Sequence, residues 1–223
     1  MIKAIVFDLW NTLIPATVDF GRLTELAKKD HASLPEFIER YELATQLKQY
    51  KSFEELKGDF FNAFSEEPNV LLQEEINEIY TNRFDKINFF PDVREFLKKL
   101  RSDGFKLGLL SNTESLKSKE LENKLSLPTY FDKIVYSFEI KTIKPDPVAF
   151  NTILNKLKVK PNEAIMVGDS LRSDITGSKN VGMHNCLINR NGKVIDYASI
   201  KPEFEIKSLF ELPKVVGVLN GRK

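Results

Sequence analysis

The chain has one cysteine in 223 residues, so no disulfide framework can form within it. Cys186 lies inside the short apolar run from His184 to Ile188 and reads as a buried, inert thiol rather than a nucleophile. Charge of either sign is not in excess, with 33 Lys and Arg against 32 Asp and Glu, well mixed along the chain. That balance supplies neither a basic arm for nucleic acid nor an acidic, disordered tail. No apolar run is long enough to span a membrane, and the first strand begins too near residue 1 to leave room for a signal peptide. Internal repeats and low-complexity segments are also lacking. The expectation is a soluble, cytoplasmic protein with no membrane or nucleic-acid partner, and no pattern specifies its oligomeric state. The two histidines, His31 and His184, have no motif around them and read as structural or surface residues.

What is present begins with Ala4-Ile5-Val6-Phe7, a continuously apolar run rich in β-formers, as a strand buried on both faces should be. It stops at Asp8, with Thr12 four residues on. A carboxylate at the carboxyl end of a buried parallel strand lies where open α/β sheets place their ligands. An acid that starts an ordinary turn is the competing reading.

Residues 16–88 then change character. Apolar residues recur at helical spacing: Leu23, Leu26 and Ala27; Phe37, Ile38, Tyr41 and Ala44; Leu56, Phe60, Phe61 and Phe64; Ile76, Ile79, Tyr80 and Phe84. The spacing predicts a bundle of about four helices inserted after the first strand. Ser52 before Phe53-Glu54-Glu55 has the pattern of a helix start. From Phe89 onward, helices and strands alternate. Strands are expected at Phe105–Leu110, Ile134–Ser137, Ala164–Val167 and His184–Ile188, with a last short one at Phe204–Ile206. Asn191-Gly192, between Ile188–Arg190 and Lys193–Ile195, reads as a hairpin-type turn. This alternation means an α/β fold, a doubly wound parallel sheet with an inserted helical cap. Residues 1–15 and 89–223 form the core in this reading, and 16–88 the cap.

The ends of these strands carry the chemistry. The first ends in Asp8, the second in Ser111-Asn112 and the fourth in Gly168-Asp169, while Lys144 precedes Pro145-Asp146-Pro147. In a parallel sheet these ends share one edge, so the groups can converge. An anionic nucleophile, a small hydroxyl, a cation and further carboxylates make a coherent site for phosphate and a metal. An Asp attacking a phosphoryl dianion is repelled by it, and a divalent cation with a lysine offsets that repulsion. Each residue also has a bland reading. Ser111-Asn112 suits an ordinary turn, Lys144 competes with Lys141, and Asp174 suits a helix cap.

At Phe7-Asp8-Leu9-Trp10-Asn11-Thr12-Leu13, Leu110-Ser111-Asn112, Lys144-Pro145-Asp146-Pro147-Val148-Ala149-Phe150 and Val167-Gly168-Asp169-Ser170-Leu171-Arg172-Ser173-Asp174, the chain closely resembles the haloacid dehalogenase-like hydrolase superfamily. Each motif alone is weak, but four in order, each on its expected element, are strong. The resemblance covers essentially the whole chain and implies a Rossmann-like core with the helical insert as the family's cap. It implies Asp8 as a nucleophile that forms an aspartyl-phosphate, with Ser111 bonding the phosphoryl oxygens and the Asn112 backbone assisting. Lys144 would neutralise charge between Asp8 and the phosphate. Asp8 and Asp169 would hold Mg²⁺, with Asp174 binding it directly, through water, or holding Lys144 instead. Thr12 would support the Asp8 loop by hydrogen bonds. The implied activity is Mg²⁺-dependent hydrolysis of a small phosphorylated metabolite.

One departure matters. The family's phosphatases carry a second aspartate two residues after the nucleophile, as general acid and base; here Trp10 stands there. Indole offers only an N–H donor. The family's metal takes the backbone carbonyl at this position, so Trp10 could still supply that ligand. The metal site survives, but acid–base help of about 10²–10⁴-fold has no evident source, which favours substrates with good leaving groups. Asn11, where many relatives have glycine, is a smaller departure. The dehalogenase branch carries an aromatic residue, a tyrosine, at the Trp10 position, so a 2-haloacid dehalogenase is one alternative. A non-catalytic protein that binds Mg²⁺ and phosphate or docks a partner is another. Specificity would rest with the cap, where Asp19, Arg22, Tyr41 and Gln46 are candidates against a solvated face. Hinges are expected near Pro15–Asp19 and Asn88–Pro91.

Overall fold

The computed structural model describes residues 1–16, 28, 31–63, 87–192 and 200–221. Six strands form one sheet in the order β3-β2-β1-β4-β5-β6. They are β1 (Ala4–Phe7), β2 (Lys106–Ser111), β3 (Lys133–Tyr136), β4 (Ala164–Gly168), β5 (His184–Ile188) and β6 (Phe204–Ile206). Every neighbouring pair is parallel, so all six carboxyl ends lie along one edge. This is the doubly wound α/β sheet expected, with β1 inside it between β2 and β4.

β1 is apolar throughout because it serves two cores. Alternate residues of a strand point to opposite faces. Ile5 and Phe7 join a cluster with Val93, Phe96, Leu97 and Leu100 of α3 (Val93–Ser102) and with Leu212, Val215 and Val216 of the closing helix, Leu212–Leu219. Ala4 and Val6 face the other way, toward Phe150, Ile153, Leu154 and Leu157 of the helix Pro147–Leu157. That helix starts as its sequence dictates: the Asp146 carboxylate accepts a hydrogen bond from the Val148 N–H at 2.8 Å, and Pro147 takes the first turn. Gly108 of β2 is small for a packing reason. A Cβ there would stand 2.9 Å from Leu157 Cδ1, so the bare backbone lets the helix lie close on the sheet.

Between β1 and α3, the described residues include two helices, α1 (Leu34–Thr45) and α2 (Phe53–Ala63). Ser33 caps α1 and exchanges hydrogen bonds with Glu36, while the Ser52 hydroxyl accepts from the Glu55 N–H at 3.2 Å at the start of α2. Phe37, Leu56 and Phe60 form a separate small core with Tyr50. Tyr41, weighed above as a site residue, packs edge-on against Phe60 at 5.7 Å between ring centroids. The helices expected around Leu23–Ala27 and Ile76–Phe84 lie outside the described residues, as do Asp19, Arg22 and the second arm of the hairpin expected at Lys193–Ile195. Asn191-Gly192 does form a turn, with Gly192 N–H bonded to Asn189 O at 3.2 Å.

Candidate active site

Register brings the motif residues together. Phe7 pairs with Leu109 on one side and Val167 on the other, so Asp8, Ser111 and Asp169 all emerge within two residues of one line across the sheet edge. The Asp8 N–H is still bonded to Val167 O at 3.0 Å, which fixes the acid beside the end of β4.

Lys144 organises the centre. Its ammonium donates to Asp8 Oδ1 and to Asp174 Oδ1, both at 2.6 Å, with all three side chains almost wholly buried. Asp174 Oδ2 accepts from the Ser170 N–H at 3.0 Å. It sits in the π-helical turn Leu171–Thr176 that follows β4. Gly168 makes room for it, since a Cβ there would fall 2.2 Å from Asp174 Oδ2. Oxygens of Asp8, Asp169 and Asp174 all lie within 4.8 Å of one another. Three carboxylates facing one ammonium leave an excess of negative charge in a sheltered place. Desolvation pushes the Asp8 carboxyl up to about 6 and Asp174 adds to the rise, with Lys144 opposing it. Asp169 is raised well above the usual carboxylate range, first by burial and then by Asp8 and Asp174. Burial works to neutralise Lys144, but Asp174 and Asp8 outweigh it and hold the ammonium charged.

The β2 exit loop supplies the polar wall. Ser111 Oγ lies 2.8 Å from Thr113 Oγ1, which in turn accepts from Trp10 Nε1 at 3.0 Å. Asn112 grips the backbone of Lys144 from both sides: its Oδ1 accepts from the Lys144 N–H at 2.8 Å, and its Nδ2 donates to the Lys144 carbonyl at 3.3 Å. The same Nδ2 donates to Glu42 Oε2 on α1 at 3.2 Å. Glu42 therefore reaches the site from α1, and desolvation raises its carboxyl to about 7. Neither the Asn112 clamp nor Glu42 was read from the sequence. One signal was available for Asn112, an amide at a strand end across from a lysine loop. None was available for Glu42, an acid on an amphipathic helix.

Asn11 adopts the left-handed region with φ 57°, as a residue standing in for glycine must, and its side chain hydrogen-bonds Asp169. Thr12 does not hold the Asp8 loop through its hydroxyl: buried Oγ1 has no hydrogen-bond partner among the described residues. The loop is held through the Thr12 carbonyl, which accepts from Arg190 Nε at 2.9 Å. Arg190 belongs to a clasp that sequence reasoning missed. Its Nη1 donates to both oxygens of Asp92 at 3.0 and 3.1 Å, and its guanidinium stacks 4.3 Å from the Phe90 ring centroid. Asp92 also accepts from Ser208 Oγ and the Leu209 N–H, both at 2.9 Å. Residues far apart in sequence thus meet behind the Asp8 loop. Of the remaining readings, Lys141 makes no contact with Asp8 or Asp174, and His184 pairs with Glu203 at 2.8 Å, at the opposite end of β5 from Ile188.

The family description "haloacid dehalogenase-like hydrolase" matches residues 2–182. The chain belongs to this family of hydrolases. Among similar proteins is a glyceraldehyde 3-phosphate phosphatase of Pyrococcus furiosus, 31% identical over 98% of this chain and 93% of its own. An (S)-2-haloacid dehalogenase of a Pseudomonas species is 25% identical over 99% of this chain and 98% of its own. The crystal structure of a phosphatase of the family from Thermococcus onnurineus superposes with a TM-score of 0.64 at 31% identity, covering 97% of this chain and 98% of that one.

Proposed function

We propose that this hydrolase is a Mg²⁺-dependent phosphatase of a small phosphorylated metabolite, with Asp8 as nucleophile and residues 16–88 as a cap over the site. The observation that carries the reading is the cluster of three carboxylates, two of them buried and paired with Lys144. Asp8, Asp169 and Asp174 are hard oxygen donors within reach of one another, and one ammonium does not balance them. That donor set fits Mg²⁺, which takes oxygen ligands and carboxylates. Asp8, Asp169 and the Trp10 carbonyl would hold the ion, with Asp174 adding to them directly or through water. When bound, the ion supplies positive charge that draws the phosphoryl group toward Asp8.

The chain's own groups then do the following. Asp8 attacks phosphorus, the bond to the leaving oxygen breaks, and an aspartyl-phosphate forms. Lys144 stays charged and offsets the repulsion between Asp8 and the phosphoryl oxygens. Ser111 Oγ turns from Thr113 to donate to one of those oxygens, and the Asn112 clamp keeps Lys144 in place. Water attacks the phosphorus of the aspartyl-phosphate, which frees inorganic phosphate and restores Asp8. The phosphatase relatives at about 30% identity over most of the chain support this reading.

Hydrolysis of para-nitrophenyl phosphate, with and without Mg²⁺, tests it. Turnover should require the metal and vanish in Asp8→Asn. Equal turnover by both proteins would sink the assignment. The aromatic Trp10 favours a second reading as a 2-haloacid dehalogenase; metal-independent halide release from a 2-haloacid, without phosphate release, would establish it instead.

A further inference from the structure

Trp10 leaves the site without the acid that a phosphatase needs to release an alcohol. Its indole N–H is committed to Thr113, and Asp8 and Asp174 are tied to Lys144. Glu114, another buried acid on the same loop, is turned away to accept the Leu116 and Lys117 N–H groups. His184 is bound to Glu203. Glu42 is differently placed. It accepts from a neutral amide, Asn112, the residue between Ser111 and Thr113 and the one that clamps Lys144. α1 is pinned there independently. Glu39, one turn earlier on the same face, makes an ion pair with Arg172 in the turn that carries Asp174. The Tyr50 N–H also donates to Ser115 Oγ at 2.8 Å, so the connection after α1 is fastened to the β2 exit loop.

We infer that Glu42, delivered by α1, is the general acid and base that replaces the missing aspartate. The inference rests on the phosphatase reading above. As Asp8 attacks, the Glu42 carboxyl gives its proton to the leaving oxygen, so the P–O bond breaks to release a neutral alcohol. In the second step the Glu42 carboxylate takes a proton from the water that attacks phosphorus, the Asp8–phosphorus bond breaks, and Glu42 is again protonated. The charges that face it suit this duty. Lys144 lowers its proton affinity, Asp8 and Asp174 raise it, and burial raises it most, to about 7. Glu39 on its own helix is engaged by Arg172. A carboxyl poised there can both give and take a proton near neutrality.

Glu42→Gln keeps the size of the side chain and an oxygen to accept from Asn112. With Mg²⁺, the variant should lose about 10²-fold or more in kcat on an alkyl phosphate such as glycerol 3-phosphate, whose leaving oxygen needs a proton. On para-nitrophenyl phosphate, whose leaving group departs as an anion, the loss should be about tenfold or less. The pH profile of kcat on the alkyl ester should lose its limb near neutrality. Adding Trp10→Asp to Glu42→Gln should recover the alkyl activity selectively. Equal losses on both esters, or an unchanged pH profile, would overturn the role of Glu42 while leaving the phosphatase reading intact. Turnover that survives in Asp8→Asn would overturn the phosphatase reading, and this inference with it.

Discussion

Removing the Asp92 carboxylate should destabilise the protein far more than a surface ion pair would. Asp92 and Arg190 are only 9% and 12% exposed at their side chains, and the carboxylate takes four hydrogen bonds from Arg190, Ser208 and Leu209. Asp92→Ala leaves a guanidinium, a hydroxyl and an amide without the carboxylate they share. Breaking one side of such a buried pair costs about 3–5 kcal/mol, against about 0–1 kcal/mol for an exposed pair. For a chain of this size that is a fall of roughly 6–20 °C in Tm. Urea unfolding at pH 7, followed by circular dichroism, measures it directly, and an Arg190→Met cycle gives the coupling. The pH dependence has a definite sign. Burial alone would raise the Asp92 pKa, but bonds from Arg190, Leu209 and Ser208 hold it below 3.8. A carboxyl depressed on folding stabilises the protein above its unfolded pKa, and that contribution is lost as pH falls through the folded value. The gap between wild type and variant should therefore be full at pH 7 and shrink only below about pH 4. A loss under about 1 kcal/mol at pH 7 would refute the view that this clasp is a buried, stabilising ion pair.

Gly168→Ala would drive a methyl group into Asp174, and should cost about 1–3 kcal/mol in unfolding experiments while cutting para-nitrophenyl phosphate turnover; normal stability would show that the turn after β4 relaxes freely. Lys144→Met removes the charge shared by Asp8 and Asp174, and should lower turnover by about 10²-fold or more at saturating Mg²⁺; a change in KM alone would contradict its role beside the nucleophile. Burial raises the Glu114 carboxyl to about 7, so the folded state keeps that proton after the unfolded chain has lost it. Stability should fall as pH rises from about 4.5 toward about 7, by up to roughly 3 kcal/mol, and Glu114→Gln should flatten the fall; parallel pH curves for the two proteins would argue against it.

The core was legible because its physics is local. A strand buried on both faces must be apolar at every position, and β1 is; an acid straight after it then stands out. Asp146-Pro147 and Ser52 likewise announced helix starts through hydrogen bonds made within a few residues. Phe37, Leu56 and Phe60 showed their spacing and became the small core between α1 and α2. What stayed hidden depends on how distant pieces dock. Glu42 differs in no local way from Glu39, yet one meets Asn112 and the other Arg172. Asp92 stands at the start of α3, yet its side chain makes no cap and serves Arg190 instead. Thr12 shows the reverse: its hydroxyl suggested a hydrogen bond that holds the loop, whereas it is buried without a partner among the described residues.

The stretch from Ser111 to Leu116 touches nearly everything that matters. Ser111 and Asn112 face the nucleophile and lysine, Thr113 receives the indole, Ser115 holds the chain between α1 and α2, and Leu116 packs into their core. Such a stretch cannot diverge piecemeal. A lineage that remodels α1 and α2 must revise this loop in step, and a graft that transplants these helices alone would arrive without its socket. Chimeras exchanged at residues 16–88 should be poor enzymes, whereas chimeras that carry residues 111–116 as well inherit insert and floor as one unit.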